Sequence, residues 1–131
     1  MTVQELSEEV CAFVESYMRV FDTFDSARIA AFYHVPCVTV RADGSVHYLS
    51  NEEELRSFFR KVVDTYQQQG WRRFRFRDLE VTAIGARSAL ASLDWEMLRG
   101  DGTLVRRWRH SYNLLRIGTE WKILASTIHQ G

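Results

Sequence analysis

The second half of the chain, residues 71–129, reads WRRFRFRDLEVTAIGARSALASLDWEMLRGDGTLVRRWRHSYNLLRIGTEWKILASTIH. Apolar and polar residues alternate through much of it, which is the period of a β-strand with two different faces. Short glycine-containing breaks divide it into four segments, residues 71–84, 87–99, 103–117 and 120–129. Links this short join antiparallel neighbours, since parallel strands need a long crossover. The stretch therefore predicts a four-stranded antiparallel meander.

The first half of the chain has the apolar spacing of helices. One helix is predicted over residues 3–21, and a capping box formed by Thr2 and Glu5 begins it. Asp25 is placed to cap a second, short helix. That helix ends before Pro36, because a proline pushes the preceding residue out of the α region.

A hairpin and a third helix complete the first half. Residues 37–42 are rich in β-branched side chains and predict a strand. Asp43-Gly44 is a strong hairpin signal, so residues 46–48 are expected to return as the partner strand. Ser50 and Glu53 form a second capping box, which begins the third helix. Helices on a largely antiparallel sheet predict an α+β fold.

Composition narrows the class of protein. The 131 residues are 46% hydrophobic and 26% charged, which is typical of one globular domain, so a single domain over residues 1–131 is expected. No apolar run approaches the roughly 20 residues of a membrane span. The acidic N-terminus lacks the pattern of a secretory signal, so we expect a cytoplasmic protein without membrane contact.

The sequence carries no recognisable metal or cofactor motif. Its two cysteines are too few for a disulfide framework or a cysteine-based zinc site. The four histidines lack metal-binding spacing, and no glycine-rich phosphate loop occurs. Neither a metal nor a cofactor is therefore expected.

Equal totals of seventeen bases and seventeen acids hide an uneven distribution of charge. Residues 1–65 carry eleven acids and six bases, and the remaining residues carry six acids and eleven bases. Arginines and aromatics interleave in residues 71–77 and 106–110, a composition shared with surfaces that bind single-stranded nucleic acid. Alternation divides these arginines between two faces and the net charge is zero, so nucleic acid is not the expected partner.

Two carboxylates, Asp94 and Glu96, share one face of the second meander strand. Carboxylates at that spacing can divide the acid and base roles of a catalytic pair. Their strand lies between the two arginine-rich strands, so ion pairs across the sheet are the interpretation we favour.

Three stretches carry a resemblance to a known family. They are FDTFDSARIAAFYHVPCVTVRADGSV at residues 21–46, the helix that follows SNEEEL, and the closing EWKILASTIH. With the order of elements, they resemble the nuclear transport factor 2-like superfamily, including its SnoaL-like and ketosteroid-isomerase-like members. The resemblance implies a curved, mixed or antiparallel sheet wrapped on three helices into a cone with a pocket at its open end. It also implies a homodimer through the convex sheet face, which aromatic residues on both strand faces would favour.

The same resemblance suggests roles for three residues. Tyr17 matches the tyrosine with which ketosteroid isomerases hydrogen-bond the substrate oxygen, and a core tyrosine bonded to a backbone carbonyl is the alternative. Arg41 falls where those isomerases hold a carboxylate base, and a guanidinium cannot abstract a proton. Its alternatives are an ion pair with Asp43 or a side chain turned to solvent. Asn113 matches a second hydrogen-bond donor to the substrate oxygen.

Strand alternation adds three further candidates. Thr39 and Arg41 share the face expected to look into the cone, and Arg41 at the mouth of a pocket suits a carboxylate or phosphate. Arg109 and Ser111 share the face of Asn113 and are expected beside it in the pocket. A register shift of one residue in this strand would turn Arg109, Ser111 and Asn113 to the other face.

Two functions are consistent with these residues. The first is a SnoaL-like pocket protein for a small apolar or anionic organic ligand, as an isomerase, cyclase or dehydratase without the usual base. The second is a non-catalytic module that dimerises or binds a partner, with its cone filled by aromatic side chains. The sequence leaves open whether the protein is an enzyme.

Overall fold

A computed structural model of the chain describes residues 1–130, in which three α-helices pack on one face of a six-stranded sheet. The helices are α1 (Val3–Val20), α2 (Ser26–Ala30) and α3 (Glu52–Gln68), with a short 3-10 turn at Phe21–Thr23. The strands are β1 (Tyr33–Val40), β2 (Val46–Leu49), β3 (Arg73–Ala83), β4 (Ser88–Leu98), β5 (Leu104–Ile117) and β6 (Glu120–Ile128).

The sheet has the strand order β2-β1-β6-β5-β4-β3. Strands β3 to β6 form the predicted antiparallel meander, and β1 joins it by pairing parallel to β6. Register shifts interrupt four of the five strand pairings, and irregularities of this kind bend a strand and increase its twist. The predicted α+β fold with a mixed sheet on three helices is confirmed.

The helix starts follow from local hydrogen bonding. The Thr2 hydroxyl accepts from the Glu5 amide at 3.0 Å, and the Glu5 carboxylate accepts from the Thr2 amide, which confirms the first capping box. The box predicted for α3 is wrong by one residue. Asn51 is the cap, since its side-chain oxygen accepts from the Glu54 amide at 2.9 Å. Asparagine caps a helix as well as serine does, so the pattern alone did not choose between the two positions.

Strand β1 begins at Tyr33, earlier than the predicted residue 37, so α2 is only five residues long. Pro36 lies inside β1, where the pairing with β6 is irregular between Tyr33 and Val38. A proline has no amide hydrogen, and at a break in the ladder that missing donor costs little.

The two faces of the sheet carry different chemistry. Its inner face presents buried apolar side chains to the helices, among them Phe74, Trp95, Met97, Tyr112, Leu114 and Ile123. Its outer face is ionic around Glu96, whose carboxylate accepts from Arg75 at 2.6 Å and also pairs with Arg77 and Arg107. Asp94 pairs with Arg109 at 3.0 Å. The ion-pair interpretation of both carboxylates is confirmed.

In the meander, the expectation of aromatic residues on both strand faces is wrong. Simple alternation along residues 71–77 would put Trp71 on the face of Arg73, Arg75 and Arg77, but β3 begins only at Arg73, so strand alternation does not govern Trp71. Its ring is buried against Phe74, 5.3 Å between ring centres. The aromatic residues of this half therefore gather on the inner side of the sheet.

Candidate functional site

A small cavity lies on the inner face of the sheet, between α1, α3 and the strands β1, β3, β4 and β5. Its walls are largely aromatic, and the lining residues are Tyr17, Phe21, Tyr33, Arg41, Phe59, Tyr66, Phe74, Trp95, Trp108, His110 and Tyr112. The centre of a water molecule can move within about 20 Å³ of it. That is room for one or two waters, since one water needs roughly 10–15 Å³ by this measure. In this arrangement of side chains the cavity is closed to an organic molecule.

Three tyrosines bring hydroxyl groups to the cavity. The hydroxyls of Tyr17 and Tyr33 lie 2.6 Å apart, so one donates to the other. The Tyr112 hydroxyl accepts from the indole N–H of Trp95 at 2.7 Å, which leaves its own hydrogen free to donate. Burial raises the pKa of all three tyrosines, so they remain neutral hydrogen-bond donors at ordinary pH.

His110 is the central polar group of the site. Its ring stacks in parallel on Tyr112, with ring centres 4.4 Å apart. The indole N–H of Trp108 donates to His110 Nδ1 at 3.2 Å. Because Nδ1 accepts, the ring is neutral and its hydrogen is on Nε2. Burial lowers the pKa of His110 well below its ordinary value, and the nearby positive charges of Arg41 and His129 lower it further.

The Nε2 atom of His110 is buried and has no hydrogen-bond partner among residues 1–130. An unpaired buried donor costs about 1–3 kcal/mol, so it requires an explanation. His110 lines the cavity beside the tyrosine hydroxyls, and an acceptor oxygen placed there would satisfy it. Within residues 1–130 the cavity lining contains no carboxylate. The site is therefore suited to stabilising an oxygen atom rather than removing a proton.

Arg41 lies at the mouth of the cavity, just after the end of β1. Its guanidinium donates to the Tyr66 hydroxyl at 3.4 Å and lies 5.3 Å from the centre of the Phe58 ring. The predicted alternative of an ion pair with Asp43 is not seen, since that carboxylate instead accepts from the Ser45 amide at 2.9 Å. Arg41 also lines an open cleft between the β1–β2 hairpin and α3, so it separates the cavity from this outer cleft.

The structure brings two of the predicted site residues together. Tyr17 and Arg41 both line the cavity, one on its inner wall and one at its mouth. Thr39 lies on the inner face, but its hydroxyl is buried in a 2.8 Å hydrogen bond with the Ser126 hydroxyl and does not line the cavity.

The other three predicted residues lie on the outer face. Arg109 is bound to Asp94 and Glu80, and Ser111 bonds to Ser92 at 2.6 Å and to His129 at 2.7 Å. Asn113 accepts a hydrogen bond from Ser88 at 3.2 Å. The prediction that these three residues line the pocket is wrong, because the inner face of β5 is formed by the alternate residues Trp108, His110 and Tyr112.

The residues that the sequence interpretation missed have a simple signal. Along β5 the bulky residues Trp108, His110, Tyr112 and Leu114 alternate with Arg107, Arg109, Ser111 and Asn113. Alternation of this kind places the apolar set inward. The outer set was chosen by counting from a distant family motif, and an error of one residue in that count exchanges the two faces.

Residues 1–130 form neither a metal-binding cluster nor a membrane-spanning helix. Within residues 1–130, no three histidine, cysteine or acidic side chains gather in a way that could hold a metal ion. No helix of this part of the chain is long and apolar enough to cross a membrane.

Known structures share this fold at low sequence identity. Aln2 from a Streptomyces species is 18% identical, with a TM-score of 0.80 over 98% of this chain and 93% of that one. An NTF2-like protein with a cystatin-like fold from Novosphingobium aromaticivorans is 13% identical, with a TM-score of 0.76 over 96% and 82% of the two chains. A domain of unknown function with a cystatin-like fold from Nostoc punctiforme is 17% identical, with a TM-score of 0.75 over 100% and 80%.

No curated protein matches the chain. A family model does match, over residues 7–131, and its description is "NTF2-like protein (DUF6841)". The resemblance drawn from the sequence is therefore confirmed, and the chain belongs to this family of nuclear transport factor 2-like proteins.

Proposed function

We propose that the protein binds a small organic ligand in the aromatic cavity and holds an oxygen atom of that ligand by hydrogen bonds. The observation that carries the proposal is the buried Nε2–H of His110, which has no partner within residues 1–130. The hydroxyls of Tyr17, Tyr33 and Tyr112 add further donors beside it. A carbonyl, carboxylate or alkoxide oxygen fits this set. The bond between Tyr17 and Tyr33 leaves one of their two hydroxyl hydrogens free, and His110 and Tyr112 each have a hydrogen to donate.

Binding requires side chains at the mouth to move, since the closed cavity admits little more than one water. Trp108 is half-buried there, and Arg41 is held by one long hydrogen bond of 3.4 Å and a ring contact. Movement of these two side chains would join the cavity to the outer cleft. A drug-sized ligand needs several hundred cubic ångströms, so the outer cleft would hold the part of it that the cavity does not.

The same donors would stabilise the oxyanion of an isomerase, cyclase or dehydratase reaction. A carboxylate base from the cavity lining is not part of the proposal, in keeping with the resemblance, which implies that Arg41 falls where the isomerases hold that base. The proposed function is therefore binding and polarisation of a ligand oxygen. The homodimer and the cytoplasmic location expected from the sequence stay predictions.

The second candidate is a non-catalytic interaction module whose core is simply filled. The small free volume of about 20 Å³ favours it. It differs from the first candidate in a measurable way, because a ligand that binds only the folded state raises the melting temperature and a filled core does not respond.

The test uses planar ketones of one to three rings, each beside the hydrocarbon of the same shape. We expect at least one ketone to raise the melting temperature of the protein, and its hydrocarbon to raise it less. His110→Phe keeps a ring stacked on Tyr112 but removes the Nε2–H donor, so the ketone should bind about tenfold more weakly, which is one hydrogen bond of roughly 1.4 kcal/mol.

The matched control for this test is His129→Phe, which changes an exposed histidine on the outer face and should leave ketone binding intact. Native mass spectrometry of the purified protein adds a second readout, since a retained ligand appears as extra mass. The proposal is contradicted if the purified protein carries no ligand and no ketone changes the melting temperature. Equal binding of ketone and hydrocarbon would contradict the role of His110.

A further inference from the structure

Arg41 lies at the mouth of the cavity, and a second arginine, Arg106, contacts two aromatic rings of the cavity lining. Arg41 contacts Tyr66 and Phe58 from the β1 side, as described above. Arg106 lies on the same face of β5 as Trp108, and its guanidinium carbon is 4.5 Å from the Trp108 ring centre. It is 5.8 Å from the ring centre of Tyr66. Tyr66 therefore lies between two guanidinium groups.

Neither of these guanidiniums is neutralised by the part of the chain that the structure describes. Within residues 1–130, no carboxylate lies within 4.0 Å of Arg41 or Arg106. Three arginines of the outer face are different, because Arg75, Arg77 and Arg107 share Glu96. The sheet thus places its acidic residues on the outer face and leaves positive charge at the mouth of the cavity.

We infer that Arg106, together with Arg41, is an anion-binding residue, and that the ligand is a planar aromatic acid held with its anionic group at the mouth. This inference rests on the proposed function of the cavity. A guanidinium stacked on an aromatic ring is already oriented, so it loses little conformational freedom when it grips a carboxylate. Two positive charges close together also oppose a cationic ligand.

The arrangement gives the ligand a direction. The anionic group meets Arg41 and Arg106 in the wet outer part of the site, and the aromatic body lies against Trp108 and Tyr66. The far end reaches the donors of His110 and the tyrosines, where a second, uncharged oxygen is accepted. Desolvating an anion at the deep end would cost more than leaving it at the mouth, which supports the same orientation.

The test compares two probes of nearly identical shape, 2-naphthoate and the neutral 2-naphthamide. We expect the wild-type protein to bind 2-naphthoate at least tenfold more tightly, and the difference to shrink as salt is raised. Arg41→Gln and Arg106→Gln should each weaken 2-naphthoate binding about tenfold and leave 2-naphthamide binding nearly unchanged. Calorimetric titration measures both affinities.

Arg72→Gln is the matched control, because Arg72 also stacks on a ring, 5.0 Å from the centre of Phe24, but Phe24 does not line the cavity, whereas Tyr66 and Trp108 do. It should leave both affinities unchanged. Equal affinity for the two probes in the wild-type protein would overturn the inference and leave the proposed function standing. Loss of the preference in Arg41→Gln alone would overturn the role of Arg106. Binding of neither probe would contradict the aromatic-acid ligand, and the ketone series then decides whether the cavity binds ligands at all.

Discussion

Lowering the pH from 7 to 5 is expected to destabilise the protein by up to about 2 kcal/mol through His110 alone. Burial and nearby positive charge lower the pKa of His110 in the folded state, whereas the unfolded chain takes up the proton near the ordinary value of 6.5. The unfolded state therefore binds more protons below that pH. The stability due to neutral His110 is complete above 6.5 and is lost as the pH falls.

His110→Asn tests this expectation, because the asparagine oxygen can still accept from Trp108 and the side chain does not titrate. In the wild type, the unfolding free energy measured with urea should fall as the pH is lowered from 7.5 to 5. Its slope against pH should approach that of one proton, roughly 1.4 kcal/mol per pH unit. The variant should show a much smaller slope. If the pH dependence of the unfolding free energy persists in His110→Asn and vanishes in His129→Asn, the proton is taken up by His129. That result would contradict the neutral buried state of His110.

The sequence predicted the fold well because the relevant signals are local. The Thr2 capping box, the Asp25 cap and the glycine-containing breaks of the meander each depend on a few adjacent residues, and the structure confirms all of them. The start of β1 was missed because Pro36 usually marks the end of an element. Here the proline lies in an irregular pairing, which depends on β6 and so cannot be read from β1 itself.

The candidate site was predicted less well because its residues come from distant parts of the chain. Tyr17 and Arg41, which the resemblance to the isomerases singles out, do line the cavity. Asn113 was assigned by counting along β5 from the last strand, and the β5–β6 pairing has a register shift at that very residue. An irregularity of one residue exchanges the faces of a strand, so such a count is unreliable beside a bulge. The alternation of Trp108, His110 and Tyr112 was the better guide.

The surroundings of His110 Nε2 and of the Arg106 guanidinium could not be predicted from sequence. Both depend on which groups lie near the side chain, and those groups belong to other helices and strands. The sequence showed that arginines were abundant in the second half of the chain. Only the register of β3, β4 and β5 shows that Glu96 pairs with three of the outer ones, while Arg106 lies on the inner face against Trp108 and away from that carboxylate.

Replacing Glu96 is expected to be the most damaging single change to the outer face. Its carboxylate is buried beneath Arg75, Arg77 and Arg107, whose side chains are about half exposed. Glu96→Ala leaves these three positive charges without their shared anion. Breaking a fully buried ion pair costs about 3–5 kcal/mol, and partial exposure of the arginines reduces this to about 2 kcal/mol.

The pH dependence of a second variant, Glu96→Gln, distinguishes lost charge from lost packing. The hydrogen bond from Arg75, followed by the charges of Arg75 and Arg77, lowers the pKa of Glu96 below its ordinary value of 4.5. The stability that this carboxylate supplies is therefore complete above 4.5 and is lost as the pH falls through the folded-state pKa. Glu96→Gln has nearly the same shape, so its unfolding free energy should lie below that of the wild type at pH 7, and the difference should shrink as the pH falls below 4.5. A constant difference across that range would show that the carboxylate stabilises the sheet by shape rather than by charge.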